Sequence, residues 1–287
     1  MPATDEPGAE APGAEAPGAE APGAAARSPV PSSSAPSPPV EPRQRWRLTF
    51  ARDPVPADQV GRIVLEAWQD ALVESGLPVA GLETGGVGRA RIAFAAPLPA
   101  AARGDAELAD LWLLERRPLW ALRDALADRL PAAHRWIDAE DVWLAAPALA
   151  GRVVAADWRV EVADPGVPEP GVRGDSGFGR DRLADAGRRL MAARTLPRTR
   201  VKGSNARQYD LRPLLAEVIV EGGTGQRAVS GPIVVRVRTR FHPELGTGRP
   251  EEVIAALGDA VGITIEIVAM SRERLLLADG LPAARRR

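Results

Sequence analysis

Residues 45–51 read RWRLTFA, and apolar side chains alternate with polar ones along this stretch. Trp46, Leu48 and Phe50 would therefore lie on one face of a half-buried strand. In residues 57–75, which come next, apolar side chains recur at helical spacing instead. The folded part of the chain is thus predicted to begin with a strand followed by a helix.

Strands and helices continue to alternate in the next stretch of the chain. Further strands are predicted at residues 89–95, 107–114 and 136–145, and a helix at residues 118–130 with a proline in its first turn. The resulting order, βαββαβ within about 100 residues, is that of a ferredoxin-like unit.

A second set of elements repeats this order. Strands are predicted at 152–162, 214–221, 232–241 and 263–277, helices at 180–193 and 250–261, and an extra strand or arm at 194–204. The sequence therefore predicts an α+β protein with two tandem ferredoxin-like units after a disordered N-terminal tail.

The N-terminal tail is predicted from its composition. Residues 7–26 repeat the pentapeptide PGAEA with one variation, and more proline follows. Proline blocks helices, and no large apolar side chain is present to offset the entropy of ordering. The predicted domains are a disordered Pro/Ala/Gly-rich acidic tail (1–44), a first domain (45–147), a second domain with an extra basic arm (148–279) and a frayed basic C-terminus (280–287).

Composition also excludes several kinds of chemistry on this chain. It has 287 residues and no cysteine, so it cannot by itself carry an iron–sulfur cluster, a thiol nucleophile or a disulfide. No apolar run reaches the roughly 18 residues that a membrane-spanning helix needs. The N-terminus also lacks the basic-then-apolar order of a signal peptide. We therefore expect a cytoplasmic protein.

Few residues are candidates for catalysis or metal binding. His134 and His242 are the only histidines and lie in no ligand-spaced motif, so no metal, cofactor or catalytic residue is predicted. Glu107 and Asp110 lie in the strand predicted at 107–114, and Glu115 lies at its end. They could be paired carboxylates, but a solvated strand face is the favoured interpretation.

Arginines form the most suggestive pattern. Arg236, Arg238 and Arg240 occupy alternate positions of one predicted strand and so face the same way. A row of guanidinium groups can neutralise successive RNA phosphates. The remaining candidate nucleic-acid-binding residues are Arg194, Arg198, Arg200, Lys202, Arg207 and Arg212. The alternative is a salt-bridged sheet face, because Glu217 and Glu221 lie on the likely partner strand.

Net charge permits contact with RNA without requiring it. Residues 1–42 carry six acidic residues and Arg27 as their only basic one, a balance of −5. Since the whole chain has a net charge of −1, the remainder carries +4. A mildly basic body therefore follows an acidic tail.

Several segments together resemble the radical SAM-linked family, a bacterial family of unknown function found fused to or encoded beside radical SAM proteins. They are RWRLTF (45–50), ALVESGLPVA (71–80), RIAFAAPLPAAARGDAELADLWL (91–113), APALAGRVVAADWRVEV (146–162), RTLPRTRVKGSNARQYDLRPLL (194–215) and RPEEVIAALG (249–258). The sequence departs from the family at PADQVGRIV (56–64) and GLETGGVGRA (81–90), where the family usually has other polar segments.

The resemblance implies a radical SAM protein as partner and a role in RNA maturation. Because this chain lacks a CxxxCxxC motif, the radical chemistry would occur on another polypeptide. The family motif retained in the second half consists of Tyr209, Asp210, Leu211, Arg212 and Pro213.

Three hypotheses follow, in order of preference. The first is a non-catalytic accessory partner of a radical SAM enzyme that binds tRNA or rRNA for maturation or modification. The second is an RNA-processing or RNA-modifying enzyme built on tandem ferredoxin-like domains, which rests on fold analogy alone. The third is a protein–protein assembly module whose arginines are all paired locally.

Overall fold

A nine-stranded, mostly antiparallel sheet runs through the computed structural model, which describes residues 40–82, 88–164, 176–202, 205–221 and 232–278. The described residues also form five α-helices and a separate two-stranded hairpin. The predicted α+β class is therefore confirmed. The predicted tail up to residue 39 and the predicted frayed C-terminus lie outside the described residues. None of the helices in the described ranges is both long and apolar enough to cross a bilayer.

The first half of the chain follows the predicted order of elements. They are β1 (Gln44–Arg52), α1 (Arg62–Glu74), β2 (Ile92–Phe94), β3 (Arg103–Leu113), α2 (Leu119–Leu126) and β4 (His134–Val142). These strands are antiparallel to their neighbours and lie in the order β4-β1-β3-β2. Trp46, Leu48 and Phe50 of β1 are buried, as their alternation predicts.

The second half contains more elements than were predicted. They are α3 (Leu149–Arg152), β5 (Val153–Val162), α4 (Ser176–Ala192), β6 (Pro197–Lys202), β7 (Asn205–Asp210), β8 (Leu215–Val220), β9 (Ile233–His242), β10 (Gly246–Thr247), α5 (Pro250–Val261) and β11 (Ile267–Leu277). Four of these strands pair antiparallel in the order β8-β9-β5-β11. The extra strand predicted at 194–204 is confirmed as β6, which forms a hairpin with β7.

A parallel contact between β11 and β3 joins the two halves into one sheet. Ser271 lies opposite Arg103, and Arg272 lies opposite Gly104. This contact explains why β3 begins before residue 107, where the sequence predicted its start. The first residues of β3 pair with β11, the last strand along the chain, and no local pattern indicates such a pairing. The domain boundary at residues 147 and 148 stays a prediction.

The helix predicted at residues 118–130 ends earlier, at Leu126. Leu122 and Leu126 are fully buried and hold the helix on the sheet. The chain then turns through Ala133, whose φ of 67° is uncommon for a residue with a side chain. This turn allows β4 to begin at His134, directly opposite Arg52 of β1.

Each half has its own hydrophobic cluster beneath its two longer helices. Trp68 of α1 and Leu122 of α2 belong to the first cluster. Leu183 of α4 and Leu257 of α5 belong to the second. Because burial of one such side chain contributes about 1.5–3 kcal/mol, these clusters fix the helices on the sheet.

The acidic residues of β3 correct one prediction. Asp110 is fully buried and accepts hydrogen bonds from Arg45 Nε at 3.0 Å and Arg47 Nε at 2.9 Å. Glu107 is also buried and accepts a hydrogen bond from Arg272 Nε at 2.8 Å. The predicted solvated face is therefore wrong for Asp110 and Glu107.

Glu107 and Asp110 lie on opposite faces of β3, and chain segments that cover each face cause the burial. Arg45 donates to the backbone carbonyls of Ala146 and Pro147 in the segment between the two halves. Arg272 donates to the carbonyls of Ala96 and Pro97 in the loop between β2 and β3. Alternation correctly separates the two faces of a strand, but it does not reveal what covers each face.

Candidate nucleic-acid interface

Three of the candidate residues lie in a row on β9. Arg236, Arg238 and Arg240 alternate with side chains that are buried in the core, so all three lie on the opposite, open face of the sheet. The sequence predicted this arrangement from their spacing. Their capacity to bind phosphates depends on how far neighbouring carboxylates already compensate the positive charge of these arginines.

Carboxylates neutralise Arg236 and Arg238. Arg236 is ion-paired with Glu221 and donates to both carboxylate oxygens of Glu273, at 2.8 and 2.7 Å. Arg238 donates to both carboxylate oxygens of Asp157, at 2.5 and 3.1 Å. These hydrogen bonds raise the pKa of each arginine above its ordinary value.

Asp157 is shared between two arginines. Burial alone would raise the pKa of Asp157, but hydrogen bonds from Arg238 and from Arg274 outweigh burial and lower that pKa.

Arg240 donates to the carbonyl of Pro213 at 3.3 Å. The ion pair between Arg236 and Glu221 is a contact of the kind expected from the alternative interpretation, a salt-bridged sheet face. Phosphate binding at this face stays a prediction, although most of its positive charge is already compensated.

The hairpin places a second group of candidate residues together. In its antiparallel register, Arg198 lies opposite Tyr209, and Arg200 lies opposite Arg207. Opposed residues share a face of a hairpin, and so do alternate residues along one strand. These four positions and that of Lys202 therefore fall on one face, which we call the basic hairpin face.

The arginines of the basic hairpin face differ in their partners. Arg198 is ion-paired with Asp259 and lies 3.7 Å from a carboxylate oxygen of Glu252. Arg200 lies over the ring of Tyr209, with its guanidinium carbon 5.0 Å from the ring centroid. Its Nε and Nη2 atoms are buried and make no hydrogen bond. Leaving a buried donor unpaired costs about 1–3 kcal/mol, so Arg200 would gain from an added acceptor.

Tyr209 offers a further polar group beside Arg200. Its hydroxyl is buried and makes no hydrogen bond of good geometry. Burial raises the pKa of Tyr209 and the charge of Glu252 raises it further, although nearby Arg200 opposes both effects. The phenol therefore stays protonated at neutral pH and can donate a hydrogen bond.

A cavity of about 480 Å³ lies beside Arg200, and we call it the hairpin cavity. This volume is within the range of sites that bind small ligands. The cavity is lined by Pro97, Leu98, Pro99, Trp158, Arg200, Phe241, Thr247, Gly248, Arg249, Pro250, Glu251 and Arg272.

The polar groups of the hairpin cavity include both donors and an acceptor. Glu251 Oε2 is buried without a hydrogen-bond partner, as are the two nitrogens of Arg200. Arg249, at the start of α5, is exposed at the rim. Arg272 lies over the ring of Trp158, 5.4 Å from its centroid, and is already paired with Glu107. A planar ligand with donor and acceptor edges would match these groups.

The retained family motif anchors the base of the hairpin. Asp210 Oδ1 accepts hydrogen bonds from the backbone N–H groups of Leu196 at 2.7 Å and Arg212 at 2.9 Å. Arg212 in turn donates to the carbonyls of Met191 and Ala193, where α4 ends. These contacts fix the hairpin relative to α4.

The rest of the motif and Arg194 complete the candidate set. Leu211 is fully buried, and Pro213 lies in the short 3₁₀ turn Arg212–Leu214 that leads into β8. Arg194 is exposed just after α4. Among the candidates whose side chains are described, Arg200 is the one that lines the hairpin cavity.

Sequence reasoning missed several residues of the cavity wall. Trp158, Arg249 and Arg272 carried no functional signal, because each lies in an ordinary strand or at a helix start. Arg272 lies in the polar run SRER (271–274) of β11, so the sequence does not mark it as a buried residue. Its partner Glu107 lies 165 residues away, beyond the reach of a local pattern.

Comparisons with known proteins give one family match. The sequence pattern of DUF2344, described as an uncharacterized protein conserved in bacteria, matches residues 64–240, which is more than half of the chain. No curated protein sequence matches the chain.

One similar solved structure is described as the crystal structure of the archaeal box H/ACA sRNP Nop10-Cbf5 complex. The likeness covers 80% of this chain, with 12% sequence identity and a TM-score of 0.37. The chain spans about half, 47%, of the length of the chain it matches there. A likeness at this level does not establish a shared function.

Proposed function

Because this chain belongs to DUF2344, an uncharacterized family conserved in bacteria, we propose a function from its own surface and its sequence resemblance. The protein is an accessory factor that binds RNA through the basic hairpin face and the hairpin cavity. It serves a radical SAM enzyme, which carries out the chemistry on a separate polypeptide. The RNA part rests on geometry, whereas the radical SAM part rests on the resemblance.

The observation that carries the RNA proposal is Arg200. Its guanidinium combines unmet, buried donors with a position over an aromatic ring at the edge of a cavity. Proteins that bind single-stranded RNA use this combination, in which phosphates contact basic side chains and bases enter pockets with aromatic or arginine walls. Arg207, which lies opposite Arg200, extends the positive charge along the hairpin.

The hairpin is a better candidate than the sheet arginines for an electrostatic reason. Arg236 and Arg238 would have to exchange existing carboxylate partners for phosphates. Among the described residues Arg200 has no carboxylate partner to lose, and two of its nitrogens make no hydrogen bond. Binding a phosphate or a base acceptor there would therefore add interactions without removing any.

We also infer that the two halves are tandem ferredoxin-like units. The antiparallel orders β4-β1-β3-β2 and β11-β5-β9-β8 support this, since each half has its first and third strands in the centre. In the second half, the hairpin is then an insertion between the first helix and the second strand of the unit.

Salt-dependent binding to total tRNA tests the RNA proposal. Arg200→Glu combined with Arg207→Glu should weaken binding at least tenfold and make the salt dependence less steep, because up to two phosphate contacts are lost. The matched control is Arg116→Glu combined with Arg135→Glu, two exposed positions with the same charge change. Equal losses in both double variants, or no loss in the hairpin variant, would contradict the proposal.

Two exposed tryptophans support docking to a protein partner. Trp120 at the start of α2 and Trp143 just after β4 have exposed fractions of 69% and 74%. Tryptophan is enriched at the energetic centres of protein interfaces. In a pull-down, Trp120→Ala and Trp143→Ala should reduce recovery of a co-expressed radical SAM protein, while the hairpin double variant should not. Unchanged recovery in both tryptophan variants would argue against docking at this surface.

A further inference from the structure

A second cavity lies mainly in the first half of the chain and shares Pro97 and Leu98 with the hairpin cavity. It has a volume of about 300 Å³ and lies between the start of α1, the end of β1 and the loop after β2; we call it the α1 cavity. Most of its wall is apolar and includes Phe50, Val64, Leu65, Phe94 and Leu98. Three polar side chains, those of Arg52, Glu107 and His134, also line it.

Arg52 is the unusual group in this wall. It is only 5% exposed, and its two terminal nitrogens donate to the carbonyls of Leu98, Pro99 and Ala102. Its Nε atom is buried and makes no hydrogen bond. Carbonyl oxygens satisfy donors without cancelling charge, so Arg52 keeps a buried positive charge and one unmet donor.

Glu107 compensates the charge of Arg52 only in part. Glu107 uses both of its oxygens to pair with Arg272, one of them at 2.8 Å from Nε. Two guanidinium groups therefore share one carboxylate in this buried cluster. Burial lowers the pKa of Arg52, the charge of Glu107 opposes this effect in part, and the charge of Arg272 lowers the pKa further.

The start of α1 adds positive potential to the same cavity. Gly61 is the N-cap and has no side chain to accept a hydrogen bond, and the first turn contains no acidic residue. Val60, Gly61, Val64 and Leu65 of this end all line the cavity. The first N–H groups of a helix lack intrahelical partners, and its dipole favours an anion at this end.

We propose that the α1 cavity binds a small carboxylate with an apolar body. The apolar walls would hold the body, and the carboxylate would accept from Arg52 and compensate the excess charge of the buried cluster. The volume lies at the lower limit for ligand sites, so a body of about eight carbon atoms is appropriate. The proposal of this site does not rest on RNA binding at the hairpin.

Calorimetric titration of the full chain with octanoate, with 1-octanol as the neutral comparison, tests the proposal. Octanoate should bind at least tenfold more tightly than 1-octanol, since both have the same chain length and differ in charge. Absence of octanoate binding, or equal affinity for the two compounds, would overturn the proposal of an anion site.

Variants locate the binding in the cavity. Leu65→Trp should fill the cavity and weaken octanoate binding at least tenfold, whereas Leu119→Trp, a similarly exposed leucine on α2, should leave it unchanged. If Leu65→Trp binds octanoate like the unmodified chain, the ligand sits elsewhere and the proposal is wrong. Arg52→Gln should reduce the affinity for octanoate to that for 1-octanol; if this variant does not fold, the alcohol comparison answers the same question.

Discussion

Removing the charge of Glu107 should destabilise the protein strongly. Only 1% of the Arg272 side chain and 6% of the Glu107 side chain are exposed, and two hydrogen bonds join them. Breaking such a buried pair leaves an uncompensated charge and costs about 3–5 kcal/mol. Glu107→Gln keeps the size of the side chain and one acceptor oxygen, so we expect the lower value, about 3 kcal/mol.

Urea unfolding at 25 °C measures this change in the free energy of unfolding. The midpoint should fall while the dependence on urea concentration stays the same, since the surface exposed on unfolding is unchanged. The matched control is Glu66→Gln, whose ion pair with Arg62 joins side chains that are 57% and 88% exposed. An exposed pair of this kind contributes about 0.3–0.5 kcal/mol.

Two outcomes would refute the reasoning. One is a loss below about 1 kcal/mol for Glu107→Gln, which would mean that water or the loop carbonyls compensate Arg272. The other is a similar loss for Glu66→Gln. In addition, Glu107→Leu combined with Arg272→Met should restore most of the stability, because this double change removes both buried charges.

Three further variants test other contacts in the structure. Arg212→Ala removes the side chain that donates to the carbonyls at the end of α4, so we expect the free energy of unfolding to fall by about 1–3 kcal/mol in urea. Asp157→Asn should lower stability at neutral pH but not at strongly acidic pH. The lowered pKa means that the stabilisation by Asp157 is present above its unfolded pKa and is lost as the pH falls through its folded pKa, which an acid titration of stability would detect. His134→Phe should flatten the loss of stability below about pH 6.5, since burial lowers the pKa of His134 and the unfolded chain takes up the proton first.

Hydrophobic periodicity predicted the longer elements of this fold, although not α3, β7 or β10. Trp46, Leu48 and Phe50 identified β1, and the helical spacing from Val60 identified α1, because burial on one face leaves a direct trace in the sequence. The α+β class followed from the order of such segments. The contact between β11 and β3 could not be predicted, since two residue pairs far apart in sequence form it.

The candidate site shows the same limit for polar residues. Spacing correctly placed Arg236 and Arg238 on one face of β9, but the partner Asp157 lies 81 residues before Arg238. Sequence likewise marked residues 194–204 as basic, without indicating that β7 would bring Arg207 opposite Arg200. Which arginines are neutralised is therefore a tertiary property that spacing cannot supply.

Whether the N–H groups of an arginine have hydrogen-bond partners distinguishes the arginines of this chain better than their positions in the sequence do. Arg45, Arg47 and Arg272 bind carboxylates or carbonyls and stabilise the fold. Arg52 and Arg200 each keep buried nitrogens without a partner, and each lines a cavity. A folded protein is stabilised when its buried donors have hydrogen-bond partners. Donors that have no partner and lie beside an open cavity are therefore the ones that a ligand can stabilise.

The two cavities are also physically adjacent. Pro97 and Leu98 line both of them, and the loop that contains these residues is held by Arg52 on one side and Arg272 on the other. Coupling between sites requires a shared element that both ligands affect differently. This loop is such an element. Octanoate in the α1 cavity should therefore change the affinity for tRNA only if it alters the hydrogen bonds that hold this loop, and a titration of tRNA binding at saturating octanoate would measure that coupling.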